Sequence, residues 1–310
     1  MRIVFMGTPE FAVNILQTLI DSEHDVIGVV TQPDRLVGRK RILTAPPIKT
    51  LASKYSIPVF QPEKIKLNYQ QVINWNPDII ITCAYGQIIP KVLLDYPKYK
   101  AINVHASLLP KYRGGAPIHQ AIIDGCRETG ITIMYMDVKM DEGDIIAQKT
   151  VNIEETDDVG RLHEKLSIAG ANLLMATLPS IVNHTNKSIK QDHREATYAY
   201  NIKPEDEKII WDMLGVQIYN QIRGLNPWPG AYSILDGRRV KIYRSKIIKM
   251  PSSGIPGEII ELQKDGIIVK TGDHNCVKLM EVQLEGKKIQ TIKEILNGKH
   301  PFIIGKKFST

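Results

Sequence analysis

Apolar and polar residues follow two different rhythms along this chain of 310 residues. In the first half, short apolar runs recur between stretches of helical spacing. Ile3–Met6 and Val26–Thr31 read as strands, and Thr8-Pro9-Glu10 starts a helix over Phe11–Ile20 between them. Ile48–Tyr55 reads as a helix and Val59-Phe60 as extended chain. The run Asp78–Ala84, DIIITCA, has the character of a strand buried on both faces of a parallel sheet. Ala101–His105 and Gly130–Met136 complete the set. Strands alternating with helices at this spacing predict an α/β, doubly wound sheet with right-handed connections.

The rhythm then changes. Residues 157–182 carry apolar positions at helical spacing and predict one long helix. A polar stretch rich in Lys and Asp follows over 186–206, with few large aliphatic residues before Ile209. It reads as a linker. The expected organisation is a first domain over 1–189, a linker at 190–206 and a second domain over 207–310. In that second domain a short helix precedes NPWPGAY (226–232), and short strands separated by Gly-containing turns predict a small β-barrel.

Composition adds modest constraints. A charged fraction of 24% and a hydrophobic fraction of 43% are ordinary for a globular protein. MRIVFMGTPEF opens on an apolar run without a basic region before it, so no secretory signal is expected. No segment approaches the ~18 consecutive apolar residues of a membrane span. Cys83, Cys126 and Cys276 fit neither a disulfide framework nor a CxxC zinc site. A cytoplasmic monomer without metal is the expectation. The net charge of +7 is uneven: residues 1–189 carry +1 and residues 190–310 carry +6. A basic C-terminal third suits an anionic partner, nucleic acid first, although a merely soluble basic domain has the same charge.

The candidate chemistry starts at one strand end. Residues two apart on a strand share a face, so Asn103 and His105 project together from the carboxyl end of Ala101–His105. Ligands of open α/β sheets bind outside that edge. An Asn amide can donate to a developing oxyanion, and His can act as acid or base. The alternative is a turn-capping Asn and a structural His. Met140-Asp141-Glu142-Gly143-Asp144 follows the strand 130–136 and would reach the same edge if that strand ran parallel beside 101–105. A carboxylate there could orient His105. The cluster lacks the ligand spacing of a cation loop.

Two further segments bear on class. Met6-Gly7-Thr8-Pro9 is not GxGxxG, and no GxxxxGK[ST] occurs, which disfavours a nicotinamide or P-loop enzyme. Gln32–Arg41 places Arg35, Arg39, Lys40 and Arg41 within seven residues of a Pro- and Gly-containing loop. Such a mobile basic finger suits a phosphate backbone, and a solvated charge run would look the same.

Asn103-x-His105, then SLLPKYRGGAPI (107–118) and MDEGD (140–144), closely resembles the formyltransferases that use 10-formyltetrahydrofolate. FMGTPEFAV (5–13), TQPDRLVGR (31–39), ATYAYNI (196–202) and NPWPGAY (226–232) resemble the members acting on a charged tRNA, and the likeness runs the whole chain. The resemblance implies a Rossmann-like, mostly parallel catalytic domain followed by an OB-like barrel. It implies methionine-charged initiator tRNA as acceptor and 10-formyltetrahydrofolate as co-substrate. It puts the catalytic roles on Asn103, His105 and Asp141, and folate binding on Ser107, Leu108, Leu109 and Pro110. It puts tRNA binding on the basic loop, with Arg39 as its key arginine. Leu36-Val37 and Arg41-Ile42-Leu43 depart from the commoner Pro-Ala and Lys-Lys-Leu. Formyl transfer to a sugar-nucleotide amine or glycinamide ribotide, formyl-folate hydrolysis and noncatalytic RNA binding remain the alternatives.

Overall fold

The structure is a computed structural model and describes residues 1–38, 40–250 and 253–309. Its first sheet grows from the apolar runs. Strands β1 (Arg2–Gly7), β2 (Asp25–Val30), β5 (Val59–Phe60), β6 (Ile79–Cys83) and β7 (Ala101–His105) pair in parallel, in the order β5-β2-β1-β6-β7. Every residue of β6 is buried, as its unbroken apolar character requires for a strand covered on both faces. Strands β3 (Arg35–Val37) and β4 (Ile42–Thr44) stand apart as a hairpin, so the expected basic finger has regular structure.

Two strands correct the expected topology. β8 (Glu128–Tyr135) runs antiparallel to β7, not parallel, with Asn103 opposite Met134 and His105 opposite Thr132. β9 (Ile145–Asn152), which the apolar pattern did not predict, is antiparallel to β8 and forms the edge. The chain between β8 and β9 is a short reversal rather than a helical crossover, and only an antiparallel pair permits that.

Helices α1 (Val13–Ile20), α2 (Pro47–Lys54), α3 (Gln70–Asn74) and α4 (Lys91–Asp95) separate the parallel strands, with α5 (Pro117–Ile123) preceding β8. The long helix α6 spans Val159–Val182. By length and composition alone it could cross a membrane. Its buried positions Ser167, Ala171, Leu174, Thr177, Leu178 and Ile181 recur at helical spacing, the mark of a core helix with one solvated face. A Cβ at Gly170 would lie 3.1 Å from Val104 Cγ1, so the absent side chain lets α6 approach β7 closely.

The chain forms two compact units that are not consecutive in sequence. The first comprises 1–117, 128–152 and 163–200; the second comprises 118–127, 153–162 and 201–310. Residues 187–200, within the stretch read as a linker, belong to the first unit, where Ile189 bridges Ile145.

The second unit is built on β10 (Ala231–Leu235), β11 (Arg238–Lys249), β12 (Ile259–Gln263), β13 (Gly266–Lys270), β14 (Asn275–Leu284) and β15 (Gln290–Thr291). All pairings are antiparallel, in the order β10-β11-β14-β13-β12, with β15 on β14. The C-terminal segment closes it: Ser309 bridges Ile234 on β10, and Lys307 bridges Glu258 beside β12. One segment thus covers both open edges, which would otherwise offer unpaired backbone. Helices α7 (Gly215–Gly224) and α8 (Ile292–Leu296) accompany this barrel. Its core includes Trp211, Ile218, Ile242, Phe302 and Phe308.

Candidate active site

β7 delivers its two polar residues as period-two alternation requires. Ile102 and Val104 are buried on one face, while Asn103 and His105 share the other. The Thr82 hydroxyl, on the parallel neighbour β6, lies 2.8 Å from Asn103 Oδ1, closer than its 3.2 Å to the Ile102 carbonyl. With Oδ1 accepting there, no partner among the described residues takes the Nδ2 hydrogens of Asn103, which can be donated to a ligand.

His105 is only 6% exposed. Its Nε2 lies 3.0 Å from the Tyr112 carbonyl, and a carbonyl can only accept, so Nε2 carries the ring proton. Nδ1 faces Asp141 Oδ1 at 3.7 Å, within ion-pair range but too long for a hydrogen bond. The ring is therefore fixed first by the Tyr112 backbone and only then by the carboxylate. Tyr112 is itself tied down, its N–H donating to Thr197 Oγ1 at 2.9 Å.

Asp141 arrives through the loop between β8 and β9. Its φ is +54°, the left-handed region that non-glycine residues seldom occupy. Its Oδ2 accepts from the Gly114 N–H at 2.8 Å. Both neighbouring glycines are sterically required: a Cβ would lie 2.6 Å from the Ala199 carbonyl oxygen at Gly114 and 1.8 Å from that of Tyr135 at Gly143. The three polar residues named from the sequence thus meet, by an antiparallel route.

The segment after β7 is locked by side chains of β8 and β9. Thr132 Oγ1 donates to the Ser107 carbonyl at 2.7 Å and accepts from the Leu109 N–H at 3.1 Å. Gln148 Nε2 reaches both the Leu109 carbonyl and Thr132 Oγ1. Ser107 turns its own hydroxyl onto the Lys111 carbonyl at 2.6 Å. Ser107 and Leu109 are buried, whereas Leu108 and Pro110 keep part of their surface. Nearby Cys83, at the end of β6, is fully buried, and burial pushes its thiol well above its ordinary range.

Arg113 falls within the SLLPKYRGGAPI motif that marks this site, whereas no local pattern points to Gln191. Arg113 is buried, and Gln191 joins it to the Asp141 loop. Gln191 lies in the polar stretch read as a linker, where local pattern carries no signal of burial. The basic hairpin is of a different kind. Arg35, Lys40 and Arg41 are exposed, Arg35 lies 3.5 Å from Glu63, and Arg41 has φ +48°. Arg39 lies outside the described residues. Beside these cations Leu36, Val37, Ile42 and Leu43 are 53–64% exposed, an apolar surface that a reading of charge alone overlooked.

Chemically, the strand end combines an amide donor, an imidazole and a carboxylate at one sheet edge. That set suits stabilising a tetrahedral oxyanion and moving a proton without a covalent intermediate.

A formyl transferase family profile matches residues 1–178, and a profile for the formyl transferase C-terminal domain matches residues 201–300. A methionyl-tRNA formyltransferase of Staphylococcus aureus is 54% identical over 308 residues, covering 99% of each chain. Among solved structures, a methionyl-tRNA formyltransferase from Clostridium thermocellum superposes with a TM-score of 0.57 at 19% identity, covering 92% of this chain and 98% of that one. HypX from Aquifex aeolicus in complex with tetrahydrofolic acid gives 0.67 at 17% identity, over 96% of this chain and 47% of that one. These two distant likenesses show the shared fold. The profiles and the end-to-end identity together establish that this chain belongs to the formyl transferase family, among the methionyl-tRNA formyltransferases.

Proposed function

We propose that this protein transfers the formyl group of 10-formyltetrahydrofolate to the free α-amine of methionyl-initiator tRNA, for the start of translation. The observation that carries the reading is the 54% identity over 99% of both chains with proteins named for that reaction. The polar set at the end of β7 supplies fitting chemistry. The neutral amine attacks the formyl carbon on N10 of the folate, forming the new C–N bond as the carbonyl electrons move onto oxygen. Asn103 Nδ2 donates to the oxygen on which that charge develops. Asp141 Oδ1 and His105 Nδ1 flank the path by which the amine proton leaves. Collapse of the intermediate breaks the bond to N10, which takes up a proton, and releases tetrahydrofolate.

In this reading the first domain is catalytic, and Leu108 and Pro110 keep surface for the folate while Ser107 and Leu109 frame the loop. Arg35, Arg39, Lys40 and Arg41 meet the tRNA acceptor end. The C-terminal barrel, which holds most of the chain's excess positive charge, binds tRNA backbone. The reaction takes place in the cytoplasm.

The test is incubation with 10-formyltetrahydrofolate and either charged initiator tRNA or small amine acceptors, an amino-sugar nucleotide and glycinamide ribotide. Formylation of the tRNA alone is expected. Transfer only to a small amine, or folate deformylation without transfer, would refute the reading.

A further inference from the structure

The polar stretch after residue 186 contains one side chain that the chemistry above does not use. Gln191 is buried, and all of its polar capacity points at the loop carrying Asp141 or at what holds that loop. Nε2 donates to the carbonyls of Asp141 and Gly143, both at 2.8 Å. Oε1 accepts from Nε and Nη2 of Arg113 at 3.1 and 2.8 Å. Arg113, 1% exposed, also sets Nη1 3.4 Å from Glu142 Oε1 and Nη2 3.2 Å from His193 Nδ1. One buried guanidinium therefore grips Glu142 directly and the carbonyls on either side of it through a single amide. A side-chain amide can donate twice and accept twice from one planar group, which is what this position uses.

The restraint falls on a left-handed backbone position of the site. A left-handed Asp141 is disfavoured by the clash of its Cβ with backbone, so the turn persists only where its surroundings fix it. Released, the residue relaxes toward negative φ and its carboxylate swings away from His105 and from the Gly114 N–H.

We propose that Gln191, braced by Arg113, is a positioning residue for formyl transfer: it holds the left-handed turn that aims Asp141 at His105. The catalytic half of this inference rests on the role proposed above for Asp141. A buried polar pair that merely fastens residues 187–200 to the first unit would lower stability without acting through Asp141.

Gln191→Met keeps the side chain's length and removes its donors and acceptor. In single-turnover formyl transfer at saturating substrates, it should slow a folded enzyme by about 100-fold, the scale expected for displacing a reacting group by an ångström. In an Asp141→Asn background the same change should cost less than about threefold, because the carboxylate it aims is already gone. Equal losses in both backgrounds, or a near-normal rate for folded Gln191→Met, overturn the proposal. Amide hydrogen exchange gives a readout without turnover. The Gly114 N–H, bonded to Asp141 Oδ2, should lose protection in Gln191→Met by about tenfold or more. The Ala116 N–H, bonded to the Ala199 carbonyl at 3.1 Å, should keep its protection. Unchanged Gly114, or equal loss at both amides, counts against the proposal. Should the wild-type chain fail to formylate methionyl-tRNA, the functional reading falls, and the exchange result still decides the positioning role.

Discussion

The end of β7 and the β3–β4 hairpin both carry residues singled out from the sequence, and they are built in opposite ways. At β7 each polar group is sunk among partners: Thr82 on Asn103, the Tyr112 carbonyl on His105, and the Gly114 N–H on Asp141. The hairpin keeps Leu36, Val37, Ile42 and Leu43 more than half exposed, and its exposed Arg35 lies 3.5 Å from the exposed Glu63. Chemistry demands donors fixed to a fraction of an ångström, which burial and crosslinking supply. Contact with a long polyanion demands reach and charge in solvent, where surface pairs contribute little to stability. In the proposed function, rate belongs to the strand end and affinity to the hairpin.

That division can be broken by substitution, beginning with the largest effect. Asn103→Ala removes the proposed oxyanion donor and should lower kcat on the order of 100- to 1000-fold with little change in tRNA affinity, as steady-state kinetics would show. A KM effect alone would move Asn103 to the binding side. Stability should divide the same way. Ile102→Ala, in the core, should cost about 2–5 kcal/mol in urea unfolding, whereas Leu43→Ala on the hairpin should stay within about 0.5 kcal/mol. Arg35→Ala and Lys40→Ala should each reduce the salt slope of tRNA binding by about one, with kcat preserved. An unchanged slope would remove the hairpin from the tRNA contact.

The smallest effect lies in neither region. Burial pushes the Asp273 carboxyl up, but donors from Thr271, Asn275 and the Gly215 backbone outweigh it and hold it at about 2. Its folded value lies below the unfolded one, so the stability it contributes is present above about pH 4 and is lost as pH falls toward 2. Asp273→Asn should flatten the fall of Tm between those values and leave the shape of the activity profile near neutrality unchanged. A steep fall retained in the variant would assign acid sensitivity elsewhere.

How far the sequence foretold this molecule depended on whether a feature is local. The pairing of Asn103 with His105 follows from alternation within five residues, and β1, β2, β6, β7 and α6 sit where the apolar pattern puts them to within a few residues. Asp141 was named, but its route was misjudged, since apolar runs do not distinguish a parallel neighbour from an antiparallel one and IIAQKTVN in β9 alternates poorly. The left-handed turn at Asp141 has no glycine to announce it. Gln191 was hidden for the opposite reason: a polar segment can be buried when each of its groups finds a partner, and those partners are 50 and 78 residues away. The second unit draws in 118–127 and 153–162 through long-range contacts that no local rhythm records.

The most direct test sets the two regions against each other in one assay: single-turnover formyl transfer, measured across tRNA concentrations, for His105→Ala and for the double variant Arg35→Ala/Lys40→Ala. At saturating tRNA the hairpin variant should recover the wild-type rate, while His105→Ala should stay on the order of 100-fold slow with a near-normal half-saturation point. A His105→Ala enzyme that reaches the normal rate, or a hairpin variant that stays slow at saturation, would contradict the account.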